Sequence, residues 1–167
     1  MYEVIIGLGS NLGNRFDNIH STILEIKKIS NLKKISNLYE TESWGYIDSK
    51  YLNCALMIET NLKPKQLLEK FIKIELKYGR NRTKIDKYEA RIIDIDILLI
   101  KGHKINTQYL IVPHPRISIR KFVLTTLLDI IPNWVHEIEN ITIEKLYENC
   151  KDISKVNYYG KLSIHCS

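Results

Sequence analysis

Two aspartates spaced two residues apart, Asp94 and Asp96, interrupt an apolar, β-branched run over residues 92–100. Side chains alternate faces along a strand, so both carboxylates leave one face, roughly 7 Å apart at the backbone. Ile93, Ile95 and Ile97 take the other face. Directly upstream, the stretch 79–91 carries Arg80, Arg82, Lys84, Lys87 and Arg91 against Asp86 and Glu89, a net of +3. Like charges on one buried face cost free energy unless cations or donors compensate them. A magnesium–polyphosphate complex answers both features. Magnesium takes a few carboxylate oxygens together with phosphate oxygens and water, and guanidinium groups take phosphate oxygens bidentately. Aspartates meeting arginines at a surface strand end would show the same spacing; the adjoining arginine-rich loop favours the metal.

These residues need elements to position them. Residues 2–8 read as an apolar strand leading into Gly7-Leu8-Gly9-Ser10-Asn11-Leu12-Gly13-Asn14, a glycine-rich turn. A helix follows with Phe16, Ile19, Ile23 and Ile26 on one face. A strand, a glycine turn and a helix N-terminus can cradle phosphate, but this one matches neither a P-loop nor a dinucleotide fingerprint, and a plain tight turn is the preferred reading. Residues 32–39 read as a weaker strand entering a ten-residue loop, Thr41 to Lys50, that carries Trp44 either as a ligand cover or as an anchor.

In the next strand, residues 51–60, Tyr51, Asn53, Ala55 and Met57 share one face, and Leu52, Cys54, Leu56 and Ile58 the other. Asn53 fits two uses, reading the amide-like edge of a heterocycle or satisfying a loop backbone. Pro64 opens a helix with Leu68, Phe71, Ile72 and Leu76 inward. Glu75 falls on that stripe and requires a partner, either a loop arginine or a ligand group. His114 stands between Pro113 and Pro115, which fix the backbone around it, beside Arg116 and Arg120 as a candidate phosphate contact. A helix over 118–130 carries Phe122, by default a core aromatic.

The chain has 167 residues, 44% hydrophobic and 26% charged, with a net charge of +6. That describes one globular domain, residues 1–167, with a bias toward anionic ligands. Cys54, Cys150 and Cys166 show no metal-ligand spacing, and the chain start lacks a secretory pattern. A cytoplasmic protein is the expectation. A small basic module that binds RNA is disfavoured, because basic and aromatic residues do not pair on adjacent strands and Asp94 and Asp96 would repel phosphates without a metal.

Taken together, these landmarks resemble the 6-hydroxymethyl-7,8-dihydropterin pyrophosphokinase family of folate biosynthesis. They are Gly9-Ser10-Asn11-Leu12, Tyr39-Glu40-Thr41 with Trp44-Gly45, Tyr51-Leu52-Asn53, Ile74-Glu75, Gly79-Arg80-x-Arg82, Arg91-x-x-Asp94-x-Asp96-x-Leu98, Val112-Pro113-His114-Pro115-Arg116 and Arg120-Lys121-Phe122. Singly most are weak; in this order and spacing they are specific. The resemblance implies an α+β fold, a ferredoxin-like antiparallel sheet extended by extra strands with helices on both faces, giving three layers. It implies transfer of pyrophosphate from MgATP to the pterin hydroxymethyl group with release of AMP. It carries two magnesium ions onto Asp94 and Asp96, with Arg82 and Arg91 alongside them as catalytic residues. ATP contacts fall on Glu75, Arg82, Lys87, Arg91, Ile97, His114 and Arg120. Pterin contacts fall on Thr41, Trp44, Tyr51, Asn53 and Phe122, with Tyr51 and Phe122 sandwiching the ring. The implied enzyme is a monomer acting on small molecules, with neither nucleic acid nor membrane as partner.

The chain departs from the family pattern in two places. Lys87-Tyr88-Glu89-Ala90-Arg91 stands where many members have Arg-Trp-Gly-Pro-Arg, and Ser43 stands where proline is usual. The first replaces a bidentate fork by a point charge and adds a carboxylate near phosphate, so a weakened hold on ATP is the expectation.

Overall fold

Residues 2–10 are apolar on both faces: Val4, Ile6 and Leu8 point one way and Ile5 the other, and all four are buried. Such a strand belongs inside a sheet covered on both sides. The computed structural model, which describes residues 1–43, 49–79 and 92–164, puts it there. In chain order the elements are β1 (Tyr2–Ser10), α1 (Arg15–Lys27), β2 (Asn31–Ile35), β3 (Leu38–Thr41), β4 (Tyr51–Thr60), α2 (Pro64–Lys77) and β5 (Asp94–Ile100), then β6 (Ile105–Asn106), β7 (Ile111–Val112), α3 (Lys121–Leu128), α4 (Ile143–Asn149) and β8 (Val156–Gly160).

The main sheet runs β5-β1-β4-β3-β8, with β2 also beside β4, and its pairings are antiparallel. β1, α1, β2 with β3, β4, α2 and β5 form the ferredoxin-like unit. β8 extends the sheet past β3, and β6 and β7 make a separate hairpin. On one face, Ile19, Ile23 and Ile26 of α1 and Leu67 and Phe71 of α2 pack against Leu8, Leu52, Leu56 and Ile95. On the other, Val123, Leu124 and Leu127 of α3 and Ile143 and Leu146 of α4 pack against Ile5, Ala55 and Leu99. The three-layer α+β expectation is borne out.

Four local expectations change. The strand over 32–39 is two strands, because Ser36 breaks the ladder. Its amide donates to the Ala55 carbonyl at 2.9 Å, and its hydroxyl accepts the Ala55 amide at 2.8 Å in place of a backbone carbonyl. Gly9 is not in the turn; β1 continues through Ser10, and within the stretch only Gly13 adopts a left-handed φ, +64°. The buried stripe of α2 is Leu67, Phe71 and Glu75, which leaves Leu76 49% exposed. The helix over 118–130 begins only at Lys121 and ends at Leu128.

A register shift between β1 and β5 falls between Ile5 and Ile6, opposite Leu98. One extra residue on β5 lets Leu98 and Leu99 both join the α3-side core. Asp94 and Asp96 keep that same face below the shift, so the irregularity reconciles a polar strand end with an apolar strand body.

Candidate active site

The aspartates are placed by register. Asp94 pairs with Gly9, Gly9 with Asn53, and Asn53 with Tyr39, one row across four strands. The row beside it runs Asp96, Gly7, Ala55. Both aspartates are half-buried. Between them and β4 lies a glycine strip, Gly7 and Gly9, with no side chains of its own, and neighbouring side chains lean over it. A Cβ on Gly9 would stand 3.3 Å from Asn53 Oδ1 and 3.5 Å from Tyr51 Cδ1, and one on Gly7 would stand 3.3 Å from Leu98 Cδ1. Two strand spacings separate Asp94 from Asn53, roughly 10 Å. That span accommodates a reacting group between a metal-binding edge and a heterocycle-binding edge.

On the far side of the strip, Tyr51 is half-buried, and Asn53 and Thr41 are each 5% exposed. Asn53 Nδ2 donates to Thr41 Oγ1 at 3.0 Å, which leaves the Asn53 carbonyl turned toward Gly9. The Asn53 amide thus serves a side chain of the neighbouring strand rather than a loop backbone. Phe122, partly buried, packs at the margin of the α3-side core, with the Arg120 guanidinium carbon 5.8 Å from its ring centre.

His114 reaches the same face through β5. Its amide donates to the Leu98 carbonyl at 2.8 Å, and the Val112–Pro113 peptide before it is cis. Its Nδ1 accepts the Arg116 amide at 3.2 Å, so in the neutral ring the proton sits on Nε2, a donor available to a phosphate oxygen. Burial above all, then Arg120 and Arg116, push its pKa down to about 4, against an opposing pull from Asp94. The imidazole is therefore neutral at physiological pH, with its proton on Nε2.

Glu75 and Ile97 face the other way, toward α2. Glu75 is 1% exposed, and its Oε1 accepts the Ile95 amide at 3.0 Å, fixing the backbone between the two aspartates. Ile97, 3% exposed, gives its side chain to the core under α1 and α2. Trp44, Arg82, Lys87 and Arg91 lie outside the described residues. The α1 N-terminus is already served: Asn14 Oδ1 accepts the Asp17 amide, and Asp17 puts a carboxylate in the first turn. That suits the plain-turn reading rather than a phosphate cradle.

The donor set also tests the metal. Two half-buried carboxylates project from one face of β5, and among the described residues no group of three or more His, Cys, Asp or Glu gathers around one point. A pair of carboxylates suits magnesium carried with a polyphosphate, which takes a few carboxylate oxygens together with phosphate oxygens and water. Gly7 and Gly9 were missed as site residues in the sequence. Their two-residue spacing inside a strand, matching that of the aspartates, was the available signal.

The chain is similar to known proteins across most of its length. The family described as 7,8-dihydro-6-hydroxymethylpterin-pyrophosphokinase (HPPK) matches residues 5–132. A 2-amino-4-hydroxy-6-hydroxymethyldihydropteridine pyrophosphokinase of Aquifex aeolicus is 41% identical over 139 residues, covering 83% of this chain and 86% of its own. The enzyme of the same name from Bacillus subtilis is 40% identical over 128 residues, 75% of each chain. Among solved structures, Plasmodium falciparum HPPK-DHPS matches with a TM-score of 0.69 at 18% identity, over 89% of this chain but only 41% of that one, a likeness of fold. No helix among the described residues is long and apolar enough to cross a membrane. On the family match and these identities, the chain belongs to the 7,8-dihydro-6-hydroxymethylpterin-pyrophosphokinase family.

Proposed function

We propose that this pyrophosphokinase works through two magnesium ions held by Asp94 and Asp96, with the pterin lying across the glycine strip against Tyr51 and Asn53. The activity follows from family membership: pyrophosphate passes from ATP to the hydroxymethyl group of 6-hydroxymethyl-7,8-dihydropterin in folate biosynthesis. The hydroxymethyl oxygen bonds to the β-phosphorus, the bond to the α-phosphate oxygen breaks, AMP leaves, and the hydroxyl proton is released. The observation that carries the site reading is the row Asp94, Gly9, Asn53, in which a bare residue separates metal donors from an amide.

Each side chain has its own task in this reading. Tyr51 and Phe122 stack on opposite faces of the pterin, as flat rings favour. Asn53, steadied by Thr41, sets the ring's orientation. His114 donates from Nε2 to a phosphate oxygen, and Arg120 supplies positive charge beside it. Arg82, Lys87 and Arg91 complete the phosphate contacts, and Trp44 covers the pterin. Glu75 serves the nucleotide site indirectly, by holding the Ile95 amide between the two aspartates, and Ile97 serves it through its backbone on β5. Magnesium, when bound, neutralises phosphate charge and polarises the transferred group. No protein group is assigned as base; positioning and charge carry the step. The same reading makes the enzyme a single domain, monomeric and cytoplasmic.

A product assay with ATP, magnesium and 6-hydroxymethyl-7,8-dihydropterin tests this. AMP should appear one-for-one with pterin pyrophosphate. Asp96→Ala should abolish turnover and magnesium dependence while the protein stays folded. Release of ADP, or near-normal rates in that variant, would remove the reading.

A further inference from the structure

We infer that Asp152 is a positioning residue, whose carboxylate holds the first turn of α3 and so sets where Phe122 and Arg120 stand relative to the glycine strip. This rests on the assignment of Phe122 to the pterin made above.

The first amides of a helix have no partner within it. In α3 the N-cap residue is Arg120, whose side chain makes no capping bond. The cap comes from the far end of the chain instead, beyond the stretch matched by the family. Asp152 Oδ2 accepts the Lys121 amide at 2.9 Å, and Oδ1 accepts the Ser154 amide at 2.9 Å. A carboxylate there also complements the positive end of the helix. The Lys121 amide lies between Arg120 and Phe122, the two residues of α3 assigned to substrates.

The other end of α3 is fixed separately. Asp129 accepts from the Asn37 amide and Asn37 Nδ2, both at 2.9 Å, and from the Tyr39 hydroxyl at 3.0 Å. Lys34 Nζ donates to the Ile130 carbonyl at 2.8 Å. With that end tied to β2 and β3, and the body of α3 packed into the core through Val123, Leu124 and Leu127, the Asp152 carboxylate adds the hydrogen bond that fixes the first turn. Four residues on, Val156 opens β8 and pairs with Thr41. One short segment thus links the helix start that carries Phe122 to the strand that carries Thr41. Small displacements of ligand-contacting groups weaken binding without unfolding a protein, and that separates this role from a purely structural one.

The test compares wild type, Asp152→Ala, Asp152→Asn and Phe122→Ala. Pterin affinity is measured by fluorescence titration with magnesium and saturating α,β-methylene-ATP, beside thermal melts and hydrogen exchange at the Lys121 amide. Asp152→Ala should weaken pterin binding roughly five- to tenfold at a temperature where it is fully folded, because the contacting ring is no longer held in place. Asp152→Asn, which keeps one acceptor oxygen, should lose roughly two- to threefold and exchange the Lys121 amide faster. If Phe122→Ala loses affinity while folded Asp152→Ala keeps it, the role of Asp152 is overturned and the pterin assignment stands. If Phe122→Ala binds normally, the assignment falls and the inference with it. Should Asp152→Ala fail to fold, Asp152→Asn decides: wild-type affinity overturns the role, and the stated loss supports it.

Discussion

His114 shows how position sets protonation. Desolvation first, then Arg120 and Arg116, lower its pKa from 6.5 to about 4 in the folded chain. Between those values the unfolded chain binds the proton more readily, so stability rises with pH through the window. The contribution is fully present above about pH 6.5 and is lost progressively as pH falls toward 4. Burial lowers His136 in the same direction, against Glu137 and Glu139. Urea unfolding at pH 7 and pH 4.5 should therefore show a smaller acid loss in His114→Asn than in wild type, with the His136 component remaining. Equal losses in the two proteins would mean that His114 is protonated freely in the folded state. The spacing of Pro113, His114 and Pro115 marked this residue in the sequence. Its neutrality depends on neighbours that only the fold brings near.

At the scale of elements, β1 and β5 act as a pair. Gly9 leaves room for Asn53 and Tyr51, and a methyl group there would press within 3.3 Å of the Asn53 oxygen. Gly9→Ala should weaken pterin binding several-fold while the melting temperature stays within a few degrees; unchanged pterin affinity would show that the strip is not a binding floor. Glu75 ties α2 to the start of β5 through the Ile95 amide. Glu75→Ala should cost about 1–3 kcal/mol of stability, the penalty for leaving a buried donor unsatisfied. Glu75→Gln, which retains an acceptor, should cost less. Equal losses in the two would point to the charge rather than the hydrogen bond. Glu75 was legible as a carboxylate on an apolar stripe in need of a partner. That the described partner is a backbone amide between two aspartates was not, because the packing of α2 against β5 is a tertiary contact between segments about twenty residues apart.

At the scale of the whole molecule, both cores share one sheet: Val4 and Ile6 serve the α1–α2 side, and Ile5 serves the α3–α4 side. Neither face can lose its helices without exposing β1. Urea unfolding followed by far- and near-ultraviolet circular dichroism should give one coincident transition. Separate transitions would mean that α3 and α4 form an independent unit.

The sequence by itself determined the strand and helix types, the shared face of Asp94 and Asp96, the two faces of β4 and, through ordered motifs, the family. Those features depend on local periodicity and composition, which act within a few residues. Only the tertiary structure decided that Gly9 lies within β1 rather than in the turn, that Ser36 splits a strand, and that Asp152 caps a helix thirty-one residues before it. Each of these depends on which distant backbone group is left without a partner, or on which side chain stands opposite. Strand register and chain crossing set both, and neither is written in the neighbouring residues.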